Sequence, residues 1–91
     1  MTPTAARLRW LQELETKGIS QRGRTRVGFD CMQAGWTEWN YTDATGANMT
    51  YDEAMHRYGG RYWDHTRING ERLTATGRQV LATHGSASAS R

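Results

Sequence analysis

The 91-residue chain has a single cysteine and no long apolar run, and these two absences exclude several classes of protein. Cys31 has no second cysteine with which to form an intramolecular disulfide, which is typical of proteins from a reducing compartment. The chain lacks the run of about 18 apolar residues that a transmembrane helix requires. Residues 1–17 are interrupted by charged and polar side chains, so they do not have the apolar core of a signal peptide. We therefore expect a soluble protein of the cytoplasm that does not span a membrane.

Motifs of catalysis and of metal binding are also missing from the sequence. His56, His65 and His84 do not have the spacing of metal ligands, either with one another or with Cys31. The glycines do not form a phosphate-binding loop of the P-loop or dinucleotide type. We interpret Cys31 as a small apolar core residue rather than as a nucleophile. The sequence accordingly predicts a protein that is not an enzyme and that has no metal and no cofactor.

Lysine is scarce as well, so arginine carries nearly all the positive charge. Lys17 is the only lysine among twelve lysine and arginine residues. Residues 1–35 contain six basic and three acidic groups, residues 36–59 one and four, and residues 60–91 five and two. The planar guanidinium of arginine suits phosphate recognition, although arginine enrichment also follows from GC-rich coding. The charge pattern thus places an acidic segment between two basic ones.

Two helices are predicted in the first third of the chain. Residues 5–17 place Leu8, Leu11 and Leu14 near one face, and Gly18 follows as a helix stop. A second helix is predicted over residues 25–34, ending at Gly35. Its apolar residues are Val27, Phe29, Cys31, Met32 and Ala34.

Two further helices are predicted from their capping residues. Thr50 and Glu53 have the spacing of a capping box, which predicts a helix over residues 51–58. Thr74 is a suitable cap for a last helix over residues 74–84. One compact domain is expected over residues 1–85, followed by a small polar tail, 86–91, without fixed structure.

The strands are predicted from alternation and from turn signals. Residues 36–41 alternate aromatic and polar side chains, which indicates a strand, and residues 42–48 are predicted as a loop. A second strand is predicted over residues 61–68, with Asn69-Gly70 as a two-residue hairpin turn before residues 71–73 pair back. The sequence therefore predicts an α+β fold, mostly helical, with a small antiparallel sheet.

The strongest functional signal is a basic segment just before the second helix. Arg22, Arg24 and Arg26 are spaced two residues apart. At a helix N-terminus such side chains are placed to contact phosphates, with the helix dipole adding to the attraction. Thr25 and Gln33 are the candidates to face bases. The alternative interpretation is a solvated loop whose charges bind nothing specific.

Two segments resemble winged-helix DNA-binding domains. Leu73-Thr-Ala-Thr-Gly-Arg-Gln-Val-Leu81 resembles the family's segment between the second wing strand and the closing helix. Gly35, between a helix and a strand, resembles the end of the family's recognition helix. The resemblance implies a compact winged helix that binds duplex DNA as a regulator, with a helical insertion in the wing at residues 48–62. On this hypothesis a second basic edge near the wing is formed by Arg67, Arg72 and Arg78.

The acidic and aromatic middle of the chain supports a different function. Exposed tryptophan and tyrosine side chains are typical anchors of protein interfaces, so this region is an alternative site for binding or inhibiting a host protein. The same rings also fit a core layer between the insertion and the sheet. The short, tryptophan-rich and arginine-rich chain resembles small phage or prophage proteins, and a virion assembly protein is a third possibility. The candidate interface residues are Trp39, Tyr41, Tyr58, Tyr62 and Trp63.

Overall fold

The computed structural model describes residues 2–20 and 25–85. Its elements confirm the predicted α+β fold with a small antiparallel sheet. Arg22, Arg24 and the predicted tail lie outside the described residues. The helices are α1 (Ala5–Lys17), α2 (Arg26–Gln33), α3 (Tyr51–Tyr58), a 3₁₀ helix (Gly59–Asp64) and α4 (Ala75–Val80), which continues as a π-helical turn (Leu81–Gly85). The strands are β1 (Ile19–Ser20), β2 (Thr37–Asp43), β3 (Asn48–Met49) and β4 (Thr66–Leu73).

The sheet is organised around the long antiparallel pair of β2 and β4. The strand order is β1-β4-β2-β3, and the central pair runs from Thr37 opposite Leu73 to Asp43 opposite Thr66. β1 extends the sheet beside Glu71 and Arg72, at one end of β4. The two-residue β3 pairs with the other end of β2. The two ends of the sheet therefore carry different layers.

The helical layer and one end of the sheet enclose the larger core. The predicted leucine face of α1 is confirmed, since Leu8, Leu11 and Leu14 are all buried. Burying a side chain of this kind stabilises a fold by about 1.5–3 kcal/mol. Two of the four tryptophans, Trp10 and Trp36, also belong to this core. The buried members of this cluster are Trp10, Leu11, Leu14, Cys31, Trp36, Leu73 and Leu81.

The insertion between β2 and β4 builds a second, smaller core at the other end of the sheet. Tyr41, Met49 and Ala54 are buried there, and three further aromatic side chains pack against them. α3 begins at the predicted capping box: the Glu53 amide donates to Thr50 Oγ1 and the Thr50 amide donates to Glu53 Oε1, each over 3.0 Å. The partly buried side chains around this core are Trp39, Tyr58 and Tyr62.

The predicted hairpin at Asn69-Gly70 is wrong. Residues 61–64 belong to the 3₁₀ helix, and β4 runs without a turn through Asn69-Gly70. These two residues form a β-bulge, because they stand opposite the single residue Asn40 in the register with β2. Gly70 has φ of +89°, and a Cβ on it would lie 2.6 Å from the Ser20 carbonyl oxygen. The positive φ that favours a turn is used here for a bulge beside β1.

The predicted loop at residues 42–48 is also wrong in part. β2 continues to Asp43, and β3 begins at Asn48, so the two strands form a hairpin. The Asp43 carboxylate closes the connection, since its Oδ1 accepts from the Thr45 hydroxyl at 2.6 Å and from the amides of Thr45 and Ala47. The hydrogen bond from the Thr45 hydroxyl, the two amide donors and the Tyr58 hydroxyl together lower the pKa of Asp43 to about 2. Asp43 is therefore an anion that organises the hairpin.

Candidate nucleic-acid interface

The outer face of α2 presents a polar and aromatic surface to solvent. The Arg26 side chain is 87% exposed, Phe29 is 54% exposed, and Gln33 is also exposed. Residues separated by three and by seven positions lie close to one face of an α-helix. The predicted contact residues Arg26 and Gln33 therefore share a face and lie two turns apart. Phe29, one of the apolar residues of the predicted helix, lies on this outer face as well.

The inner face of α2 fixes this helix to the body of the domain. Cys31 is fully buried in the main cluster, and Gly28 is buried against α1 and β4. A Cβ on Gly28 would lie 3.0 Å from Glu71 Oε1 and 3.4 Å from Trp10 Nε1, so α2 approaches both elements closely. The indole N–H of Trp10 donates to Glu71 Oε2 over 3.0 Å in the buried space below. The orientation of the outer face is thus set by packing from behind.

Thr25 has a structural role at the beginning of α2. Its hydroxyl oxygen accepts a hydrogen bond from the Gly28 amide at 3.0 Å, which makes Thr25 the N-cap. The side chain is exposed at the same end of the helix as Arg26. The Thr25 oxygen is therefore engaged with the helix backbone, and the residue is exposed next to Arg26.

Asp30 joins Arg26 of α2 to Arg7 of α1. Asp30 Oδ1 accepts from Arg26 Nε at 3.2 Å, and Asp30 Oδ2 accepts from Arg7 Nη2 at 3.3 Å. Arg7 Nη1 also donates to the Thr2 carbonyl at 2.8 Å. Asp30 was not among the expected site residues, although its i,i+4 spacing from Arg26 is the local signal that identifies such a pair.

The three arginines of the expected second basic edge lie in different surroundings. Arg72 is partly buried and donates from Nη1 to Asn40 Oδ1 at 3.1 Å. Arg78 is exposed on α4. Arg67 is exposed at the other end of β4, beside an open cleft between the β2–β3 hairpin and the 3₁₀ helix. Arg67 and Arg72 are therefore separated along the strand by the bulge.

Arg72 and Arg78 are also close enough to acidic side chains for their charges to be partly compensated. Burial raises the pKa of Glu38, and the negative charges of Asp52 and Glu53 raise it further. Arg72 and Arg78 lower that pKa, so both guanidiniums act on the Glu38 carboxylate. Among the predicted arginines in the described part of the chain, Arg26, Arg67 and Arg78 are exposed and Arg72 is partly buried.

The aromatic residues form a ladder of edge-to-face rings that runs from the core to solvent. Tyr41 is buried, and burial raises the pKa of its hydroxyl to about 12. The rings of Tyr41 and Tyr62 are 5.6 Å apart, and those of Tyr62 and Trp63 are 5.5 Å apart. Trp63 ends the ladder with 60% of its surface exposed. Tyr58 stacks on His65 at 4.6 Å and donates its hydroxyl to Asp43 Oδ2.

The sequence left open whether these rings are core residues or interface anchors, and their burial distinguishes the two. Tyr41 is a core residue, and Trp39, Tyr58 and Tyr62 pack against the smaller core. Of the five expected interface residues, Trp63 is the most exposed. Tyr51, 45% exposed, lies 5.2 Å from Tyr62 and widens the exposed end of the ladder.

Residues 2–20 and 25–85 contain no group of three or more His, Cys, Asp and Glu side chains arranged to hold a metal ion. Burial raises the pKa of the Cys31 thiol to about 11, so this thiol is protonated at neutral pH. No helix in the same two segments is long and apolar enough to cross a membrane.

The chain matches no protein-family model, and comparisons with curated proteins and with solved structures found no match either.

Proposed function

We propose that the protein is a small regulatory protein that binds duplex DNA through the outer face of α2. The observation that carries this proposal is the pairing of an exposed Arg26 with Gln33 on one face of a helix that is packed from behind. A rigid helix with arginine at its N-terminal end is suited to lie in a groove while guanidinium groups contact the phosphates. Arg22 and Arg24 precede this end in the sequence and add charge to the same segment.

The connections of the fold also support a winged-helix-like arrangement. Gly35, with φ of +80°, lies between α2 and β2, where the resemblance expects a helix-to-strand junction. β4 leads through Thr74 directly into α4, where the resemblance expects the closing helix after the second wing strand. In this proposal the hairpin, α3 and the 3₁₀ helix are an insertion between the two wing strands.

The test is the salt dependence of binding to a fluorescein-labelled duplex of mixed sequence. Affinity is expected to fall steeply with salt, because each phosphate contact releases condensed counterions. Arg22→Ala and Arg24→Ala are each expected to flatten the slope of log K against log salt by about one unit.

Arg61→Ala is the matched control for this experiment. Arg61 is an exposed arginine, 78% accessible, that pairs with Asp64 in the 3₁₀ helix, so its replacement removes the same charge at a distant element. The slope of Arg61→Ala should equal that of the unsubstituted protein. Equal flattening by Arg61→Ala and Arg22→Ala would show that binding depends on diffuse charge rather than on this segment, and no binding at low salt would reject the DNA proposal.

A second candidate function is protein binding at the exposed end of the aromatic ladder. Trp63 favours it, because a solvent-facing tryptophan supported by Tyr62 is the type of side chain that anchors interfaces. Trp63→Ala is expected to weaken capture of a partner from cell extract by at least about tenfold. Phe29→Ala removes a similarly exposed ring from α2 and should leave capture intact. Unchanged capture by Trp63→Ala would remove this candidate.

A further inference from the structure

The setting of Arg26 differs from that of an ordinary surface arginine. Its side chain is 87% exposed, but its Nε is held by Asp30, whose own side chain is only 18% exposed. Asp30 is held in turn by Arg7, which is anchored to the Thr2 carbonyl. Asp30 and Arg7 therefore hold the Arg26 guanidinium against the domain, and we call these two residues its buttress.

The buttress leaves the outer edge of this guanidinium available to a ligand. Arginine has five N–H donors, and the Nε–H of Arg26 is the one engaged with Asp30. The two terminal nitrogens make no hydrogen bond to any residue within 2–20 and 25–85. When both terminal nitrogens bind one planar pair of acceptors, a guanidinium whose Nε is already fixed loses less conformational freedom than a mobile guanidinium does.

We propose that Arg26 is a specificity-determining residue that reads guanine in duplex DNA, with Asp30 as its positioning residue. This inference rests on the proposed function. Guanine presents the O6 and N7 acceptors side by side in the major groove, and a bidentate arginine is the commonest specific contact to them. Arg26 is the first residue of α2, and the N-terminal residues of a recognition helix are those that reach base edges. A mobile arginine would serve a phosphate equally well, so the buttress is the feature that favours a base.

The experiment selects bound molecules from a random-sequence duplex pool and sequences them, for the unsubstituted protein and three variants. The unsubstituted protein is expected to enrich a motif with a guanine position preferred by about 10- to 100-fold over the other bases. Arg26→Lys keeps the charge and removes the planar fork. It should bind the pool with affinity changed only a few-fold and lose the guanine preference.

Asp30→Asn provides a readout that a change of charge alone would not produce. It removes a negative charge from the helix face, so affinity for the pool should stay equal or rise, while the guanine preference falls as Arg26 loses its buttress. Arg61→Lys makes the same replacement in the Arg61–Asp64 pair and should leave the motif unchanged. A thermal melt of each variant checks that the fold is retained, and Arg26→Lys keeps the test valid if Asp30→Asn unfolds.

The outcomes separate this inference from the proposed function. Salt-dependent binding without an enriched motif, or with the same motif in Arg26→Lys, would leave DNA binding in place and overturn the assignment of Arg26 as a base reader. No binding of the pool at low salt would overturn both. Loss of the guanine preference in Arg26→Lys and in Asp30→Asn, with pool affinity retained, supports the assignment.

Discussion

Replacing Gly77 with alanine is expected to destabilise the domain by about 3 kcal/mol, although alanine is the better helix former. Gly77 lies in the first turn of α4 and is buried. A Cβ at this position would overlap the carbonyl oxygen of Trp36 and lie 2.9 Å from its carbonyl carbon. Helix propensity alone predicts a gain of about 1 kcal/mol, so the sign of the change distinguishes the two effects.

The Trp36 backbone is poorly placed to move away from such a Cβ. Its carbonyl oxygen accepts from the Thr74 amide at 3.1 Å, and its own amide donates to the Cys31 carbonyl at 2.9 Å. The Thr74 hydroxyl also donates to the Gly35 carbonyl at 2.6 Å. Any displacement therefore disturbs the junction of α2 with β2 and the cap of α4 together. A domain of this size is typically stable by about 5–15 kcal/mol, so the expected loss is a large share of the total.

Urea unfolding followed by tryptophan fluorescence measures the change, and Gly60→Ala is its matched control. A Cβ on Gly60 would meet nothing within 4 Å, and its φ is not positive. Gly60→Ala is expected to be neutral or stabilising by up to about 1 kcal/mol, because alanine restricts the unfolded chain. Equal stabilisation by Gly77→Ala and Gly60→Ala would show that α4 is not held against Trp36 in solution.

The parts of this fold that could be predicted from sequence depend on residues close together in the chain. The capping box of α3 is complete within Thr50–Glu53, and the leucine face of α1 within residues 8–14. The Asn69-Gly70 dipeptide has the same local preference in a hairpin as in a bulge. In the bulge these two residues stand opposite Asn40, 29 residues earlier, whose amide donates to the Asn69 carbonyl, and no local pattern reports that contact.

The candidate site likewise contains some features that follow from nearby residues and others that depend on distant ones. Arg26 and Gln33 are seven residues apart in one helix, so their shared face follows from helical periodicity. Arg72 has equally basic chemistry, but its guanidinium is engaged by Asn40, 32 residues away, and no local pattern reports that contact. No local pattern reports the second ion pair of Asp30 either, because its partner Arg7 lies in another helix. Long-range contacts thus determine which arginines remain available to a ligand.

Replacing Asn40 with alanine is expected to cost about 3 kcal/mol or more, because this side chain is the polar centre of the bulge. Asn40 is fully buried. Its amide nitrogen donates to Asn48 Oδ1 at 2.9 Å and to the Asn69 carbonyl at 3.0 Å, while its oxygen accepts from Arg72 at 3.1 Å. Two neutral hydrogen bonds contribute about 1 kcal/mol each, and one to a charged donor about 1.5 kcal/mol or more.

The same strand supplies controls with the opposite expected sign. The Oγ1 atoms of Thr37 and Thr42 are buried and have no hydrogen-bond partner among the described residues. Valine has nearly the same shape as threonine and lacks this oxygen, so Thr37→Val and Thr42→Val are each expected to be neutral or to stabilise the domain by up to about 1 kcal/mol. All three substitutions remove one buried polar group from β2, and urea unfolding compares them directly. If Asn40→Ala proved as harmless as the two valine variants, hydrogen bonding by Asn40 would not be what maintains the bulge, and the contact that restrains Arg72 would lose its energetic basis.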